Sequence, residues 1–301
     1  MEQSLDHLKK RTAWISIVSN TCLVILKLVI GMYVGAVSLI SEAMHSGVDL
    51  LAAMIAFWAV HKSVVPPDQA HDYGHGKYEN LSAAVEALLI VFAAIAIIYE
   101  AVDKFQHLET PQFIEYGLLV MLVSIVINFF VARRLLSVAE RTGSQALEAD
   151  GLHLQADIWT SVGVLVGLAG VKIFGWVWLD PLIAVLVAGI IFKAGYSMVL
   201  ESARQLTDTS LPPEDEARIG AIFDRHRDVV GYHRLRTRRS GSYKLLDVHV
   251  LFAKEMSLAD VHVICDELEA EIRTAFGTFD VMIHAEPAGH TERNRQIKKP
   301  L

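Results

Sequence analysis

Apolar residues in the first two-thirds of the chain gather into six runs, about 13–35, 39–60, 79–101, 115–136, 152–174 and 178–200. Each approaches the roughly 20 residues an α-helix needs to cross a bilayer, so the pattern predicts six transmembrane helices. The runs stop near residue 200. From Gln205 onward charged and apolar residues alternate as in a soluble domain. There, Thr209 or Ser210 followed by Pro212, Pro213 and an acidic turn marks a helix start. A strand to about Arg239, a turn at "SGS", a strand from Tyr243 to Ala253, a helix from Ser257 to Ala275 and a strand at "FDVMIHAEP" complete the order αββαβ.

That order predicts a small ferredoxin-like α+β domain, helices on one face of a sheet. The expected division is a six-span transmembrane domain at 1–204, an α+β domain at 205–288 and a basic flexible tail at 289–301. Very short links, "AVS" and "WVW", predict that spans 1 and 2, and spans 5 and 6, form tight antiparallel hairpins. The linker after span 2 is longer and carries helix-breaking Pro66 and Pro67.

Charge orients the spans. Lys9, Lys10, Arg11, Lys62, Lys77, Arg133, Arg134 and Arg141 flank one side, against Lys104 and Lys172 on the other. Basic residues favour the cytoplasm, so both termini are expected there. The first apolar run exceeds a secretory signal and no small-residue cleavage site follows it, which predicts an uncleaved first span.

Composition adds exclusions. The 301 residues are 53% hydrophobic with a mean hydropathy of +0.38, too oily for a soluble protein. A net charge of -7 and a pI near 6.0 leave no dense basic face for nucleic acid. Cys22 and Cys265 form no C-x-x-C, so redox chemistry and zinc-finger folding are not indicated.

The chemistry lies in "SEAMHSGVDLL" and "DGLHLQADIWTS". His45 and Asp49 in span 2, and His153 and Asp157 in span 5, are each four residues apart and share a helix face. An ionised aspartate at bilayer depth costs several kcal/mol unless something pairs with it. Lys27 is available for one aspartate. Interhelical hydrogen bonds would suffice for one His/Asp pair. Two matching pairs point instead to a divalent cation, since two imidazoles and two carboxylates make the tetrahedral set that zinc accepts. Gly31 and Gly35 in span 1 and Gly163, Gly167 and Gly170 in span 5 allow close helix approach. Glu42, Glu86, Asn20 and Asn128 read as packing or water-pathway groups.

The repeated H-x-x-x-D, the six spans, the αββαβ domain and the loop "DQAHDYGHGK" together resemble the cation diffusion facilitator family, of the bacterial zinc-efflux type. The resemblance covers nearly the whole chain. It implies a homodimeric antiporter in the bacterial inner membrane that exports cytoplasmic divalent metal for protons, with no organic cofactor. His45, Asp49, His153 and Asp157 map onto its transport site. Many bacterial relatives have Asp where this chain has His45. The softer set favours Zn2+, with Cd2+ and then Fe2+ behind it, over manganese and magnesium.

The same resemblance implies a second metal site at Asp68, His71 and His75, where Gly74 and Gly76 let the backbone turn. Taken without it, such a loop trio reads as solvated polar residues. In the α+β domain, strand alternation turns Val248, Val250, Val281 and Ile283 one way and His249, His284 and Glu286 the other. The resemblance adds His233 and His262 and implies a binuclear zinc site that senses metal and tightens the dimer, with Glu286 in place of the usual Asp. It also implies a salt bridge between Lys77 and Asp208 that locks the two domains together.

Two other classes compete. An intramembrane metallohydrolase needs an open coordination position and a general base, but there is no H-E-x-x-H and Glu42 is the nearest base. A membrane metal receptor predicts binding without flux.

Overall fold

The computed structural model describes residues 2–34, 37–106, 115–174, 176 and 178–289. Two compact units divide the chain, Met1–Ala203 and Arg204–Leu301. The first holds six long helices, α1 (Glu2–Val34), α2 (Val37–Ser63), α3 (Lys77–Gln106), α4 (Glu115–Thr142), α5 (Gln145–Phe174) and α6 (Leu179–Leu206). They outrun the apolar stretches that predict them: α1 begins at Glu2, α4 continues to Thr142 and α6 to Leu206. Backbone hydrogen bonding continues through charged turns such as "DHLKKR" that hydropathy counts as outside the membrane. The links at 35–36, 107–114, 175 and 177, with Gly35, lie outside the described residues.

Among the described residues, Ser4–Tyr33, Ala43–Ser63, Lys77–Gln106, Leu119–Thr142 and Pro181–Leu206 are long and apolar enough to cross a membrane. The sixth helix, α5, has 30 residues but carries Glu148, Asp150, His153 and Asp157 in its first half. Size is sorted as in a lipid-facing bundle. Trp14, Ile25 and Val29 of α1 and Phe92 of α3 are exposed, while Ala13, Ala53, Ala56, Ala59, Ala87 and Ala94 are wholly buried. Lipid is as apolar as leucine, so small residues that let backbones approach hold the helices together. Gly163 serves this purpose: a Cβ there would come within 2.9 Å of Val187 on α6.

The second unit runs α7 (Pro213–Arg225), β1 (Val229–Ser240), β2 (Tyr243–Phe252), α8 (Leu258–Phe276) and β3 (Phe279–Pro287). This is the αββαβ order the sequence predicts. Pro212 stands at the N-cap of α7 without a side-chain cap, and acidic residues fill the first turn. Ser257 caps α8, accepting from the amide of Asp260 at 3.1 Å. The sheet order is β1-β2-β3, with β1 antiparallel and β3 parallel to β2. Leu246, Val248, Val250 and Phe252 of β2 pack on Ile219 and Phe223 of α7 and on Ile264, Leu268 and Ile272 of α8. Both helices therefore share one sheet face, leaving the side chains of the other for chemistry.

Candidate metal centres

In the helical unit, α2 and α5 bring their His/Asp pairs together. His153 Nε2 lies 3.2 Å from Asp49 Oδ1 across the two helices. His45, Asp49 and Asp157 each offer a donor atom, all within 4.8 Å of one another. Asp49 and His153 are buried, Asp157 is half-buried and His45 is exposed. His153 Nδ1 and Asp157 Oδ2 are buried without a hydrogen-bond partner, a costly arrangement for polar atoms away from water. Lys27 donates to Ser46 Oγ at 2.7 Å, beside His45.

These four ligands lie at one end of a cavity of about 690 Å³, which continues past Ile97 and Glu100 on α3, Met121 on α4 and Val164 on α5. Along α3 the lining begins only at Leu89 and runs toward the Gln106 end. The Lys77 end of α3 is filled instead, with Glu79, Asn80, Ser82, Ala83 and Glu86 all buried.

The loop trio also converges. Asp68, His71 and His75 bring donor atoms within 4.8 Å of one another, with His75 Nε2 3.4 Å from Asp68 Oδ2. Asp68 Oδ1 accepts from the amides of Ala70 at 2.9 Å and His71 at 2.8 Å, an Asx turn. The Ala70 amide above all, then those of the His71 backbone and ring, holds the Asp68 carboxyl below its ordinary value despite some desolvation. Gly74 takes a φ of +74°, a conformation that glycine adopts without steric cost.

On the open face of the sheet, His233 of β1, His249 of β2 and His284 of β3 stand side by side in register. Glu286 Oε1 lies 2.7 Å from His249 Nδ1, and Oε2 lies 3.1 Å from His233 Nε2. Its extra methylene, relative to Asp, reaches both rings. The hydrogen bond from His249, then that from His233, lowers the Glu286 carboxyl against the opposing effect of desolvation. His284 Nε2 is 3.5 Å away from the same carboxylate. A β-bulge follows His233, with Arg234 at a φ of +52°, a device that re-aims side chains.

The fifth expected ligand stands apart in a single chain. His262 is exposed on α8, which covers the opposite face of the sheet, and lies 3.8 Å from Asp266 on its own helix. Asp208 Oδ1 accepts from Arg238 Nη1 at 3.2 Å within the second unit. Lys77 opens α3 of the first.

Several buried polar contacts are not among those the sequence predicts. Lys9 Nζ is 3.3 Å from Glu79 Oε1, which also accepts from Ser63 Oγ at 2.7 Å. Asn80 Nδ2 donates to Gln145 Oε1 at 2.6 Å. Asp150, one turn before His153, is 1% exposed, and its helical spacing from that histidine was the available signal. Lys9 and Glu79 are 70 residues apart, and nothing local links them.

Comparison with known proteins places this chain in a family. Residues 13–207 match the cation efflux transmembrane domain and residues 211–288 the cation efflux protein cytoplasmic domain. An uncharacterized transporter of Synechocystis is 35% identical over 84% of this chain and 82% of its own. The cation-efflux pump FieF of Klebsiella pneumoniae is 31% identical over 96% of each chain. A solved structure of a putative zinc transporter, CzrB, is 34% identical over 26% of this chain and 99% of that chain, with a TM-score of 0.26. The metal-bound C-terminal domain of CzcD from Thermotoga maritima is 29% identical over 26% of this chain and 93% of that chain, also with a TM-score of 0.26. The two domain matches in tandem cover the described chain from α1 to β3, and the protein belongs to the cation diffusion facilitator family of membrane-spanning cation-efflux transporters rather than to any class of enzyme.

Proposed function

We propose that the protein exports divalent metal, zinc foremost, from the cytoplasm in exchange for protons, through His45, Asp49, His153 and Asp157. The observation that carries this reading is the meeting of the two His/Asp pairs at the head of a cavity inside the helical unit. Two carboxylates offset a dication's charge where water cannot, and two neutral imidazoles complete a borderline ligand set that suits zinc. Each ligand must be free of its proton to bind, so metal and protons compete for the same atoms.

The homodimer works in the bacterial inner membrane with both termini cytoplasmic. In that orientation the cavity, which leads from the ligands toward the Gln106 end of α3, faces outward, where metal departs and protons arrive. The loop trio and the set His233, His249, His284 and Glu286 bind zinc on the cytoplasmic side. Occupancy of the latter tightens the dimer by mass action. His262 takes no part within one chain.

The test is zinc flux into sealed proteoliposomes holding a fluorescent indicator, with and without an imposed proton gradient. Gradient-stimulated, saturable flux that Asp157→Ala reduces to the protein-free leak is expected. Zinc binding without flux in the folded protein would replace this reading with a metal receptor.

A further inference from the structure

The cavity leads away from the ligands toward the Gln106 end of α3, and among the described residues the opposite end is filled. An apolar seal forms there from Ala59 and Val60 of α2, Leu135 and Val138 of α4 and Leu147 of α5. Beside it sits an ion pair as buried as the seal. Lys9 is 2% exposed and Glu79 0%. Lys9 Nζ bridges Glu79 at 3.3 Å and Asp6 at 3.4 Å. Ser63, the last residue of α2, donates to the same Glu79 oxygen at 2.7 Å. One carboxylate thus gathers the start of α1, the end of α2 and the start of α3. The neighbouring Asn80 ties α3 to Gln145 at the start of α5.

A buried ion pair is a poor way to gain stability, because desolvation cancels most of its attraction, and removing one partner leaves a charge without compensation. Unlike an apolar contact, however, it is directional, and water can satisfy both partners once they separate. These are properties suited to a contact that must break.

We propose that the Lys9–Glu79–Ser63 cluster is the bolt of a gate at this end of the bundle. It holds α1, α2 and α3 together while the cavity opens at the opposite end, and it parts when the transport ligands turn to face the other way. The purpose of the gate rests on the transport function proposed above; the bolt itself is open to direct measurement without metal.

The probe is a membrane-impermeant maleimide and the reporter is Ala83→Cys, a position 2% exposed and one turn inward from Glu79. Cys22 and Cys265 are first replaced by serine in the full chain. Labelling is followed in right-side-out and inverted vesicles. Lys9→Met and Glu79→Gln are expected to accelerate labelling at least tenfold from the face bearing the N-terminus alone, and Lys9→Arg to keep the parental rate. Parental rates in both neutral variants, acceleration equal from both faces, or the same acceleration in Lys9→Arg would each overturn the bolt. If the parent carries no zinc, the transport reading fails while the labelling result stands. If zinc moves but labelling is unchanged, only the bolt fails.

Discussion

Gly47 and Gly151 each lie two residues from a histidine of the transport site, yet alanine is expected to act in opposite directions at the two positions. At Gly151 a Cβ would meet Leu136 Cγ at 2.8 Å, Leu136 Cδ2 at 2.9 Å and Leu135 Cβ at 3.2 Å. Carbon atoms rest at about 3.5 Å or more, so the closest contact is short by roughly 0.7 Å. Leu136 can swing aside in part, but Leu135 Cβ is fixed to the α4 backbone, and α5 must yield by a few tenths of an ångström. His153 moves with it. Its 3.2 Å contact with Asp49 is already at the long end of the N–H···O range, and metal ligands tolerate only about 0.2 Å of displacement. Overpacking costs about 1–3 kcal/mol, offset by the ~0.8–1 kcal/mol that alanine gains over glycine in a helix. A net loss of about 0–2 kcal/mol follows. At Gly47 nothing lies within 4 Å of the added methyl, so only the helix gain of about 1 kcal/mol remains. The assay combines thermal unfolding in detergent with zinc flux in proteoliposomes. Gly151→Ala should raise the KM for zinc about tenfold, equivalent to about 1.4 kcal/mol, without gaining Tm. Gly47→Ala should gain Tm and hold KM within about twofold, since it leaves the ligand geometry untouched. If Gly151→Ala gains Tm like Gly47→Ala and keeps its KM, α4 and α5 are not packed tightly enough to position His153, and the reasoning fails.

Two further predictions concern the sites outside the membrane. Because the folded Glu286 carboxyl lies below its ordinary value of 4.5, its contribution to stability is complete above that value and is lost as pH falls through the folded one; metal-free protein should therefore lose Tm below about pH 4.5 more steeply than Glu286→Gln. At the loop, Asp68→Asn keeps an oxygen that accepts from Ala70 and His71 but removes the charge, so equilibrium dialysis should find one fewer zinc bound per chain at unchanged Tm; unchanged stoichiometry would remove the loop from the metal sites.

Much of the architecture was legible because its signals are local. A run of apolar residues sets a span, and alternation from Leu246 to Phe252 identifies which side of β2 is buried. The spacing of His45 with Asp49 and of His153 with Asp157 puts each pair on one helix face whatever the packing. The same alternation assigns His249, His284 and Glu286 to the open face of the sheet. It says nothing of where α8 points His262, which depends on how the helix rolls on its apolar contacts Val261, Ile264 and Leu268. Lys9 reads in the sequence as one of several basic residues flanking a span, which is accurate and suggests no buried pair with a residue 70 positions away.

The sequence by itself therefore determined the elements and the chemistry available to them: six long helices, an αββαβ domain, and imidazole–carboxylate pairs that are costly in lipid without a cation. Only the tertiary structure decided that α2 and α5 face one another, that the cavity leads away from the ligands in one direction, and that the other end is closed over an ion pair. The physical reason is range. Helical periodicity and residue chemistry are set within a turn or two of chain, whereas access to a buried site is set by which helices meet, through contacts between residues as distant as Asp49 and His153.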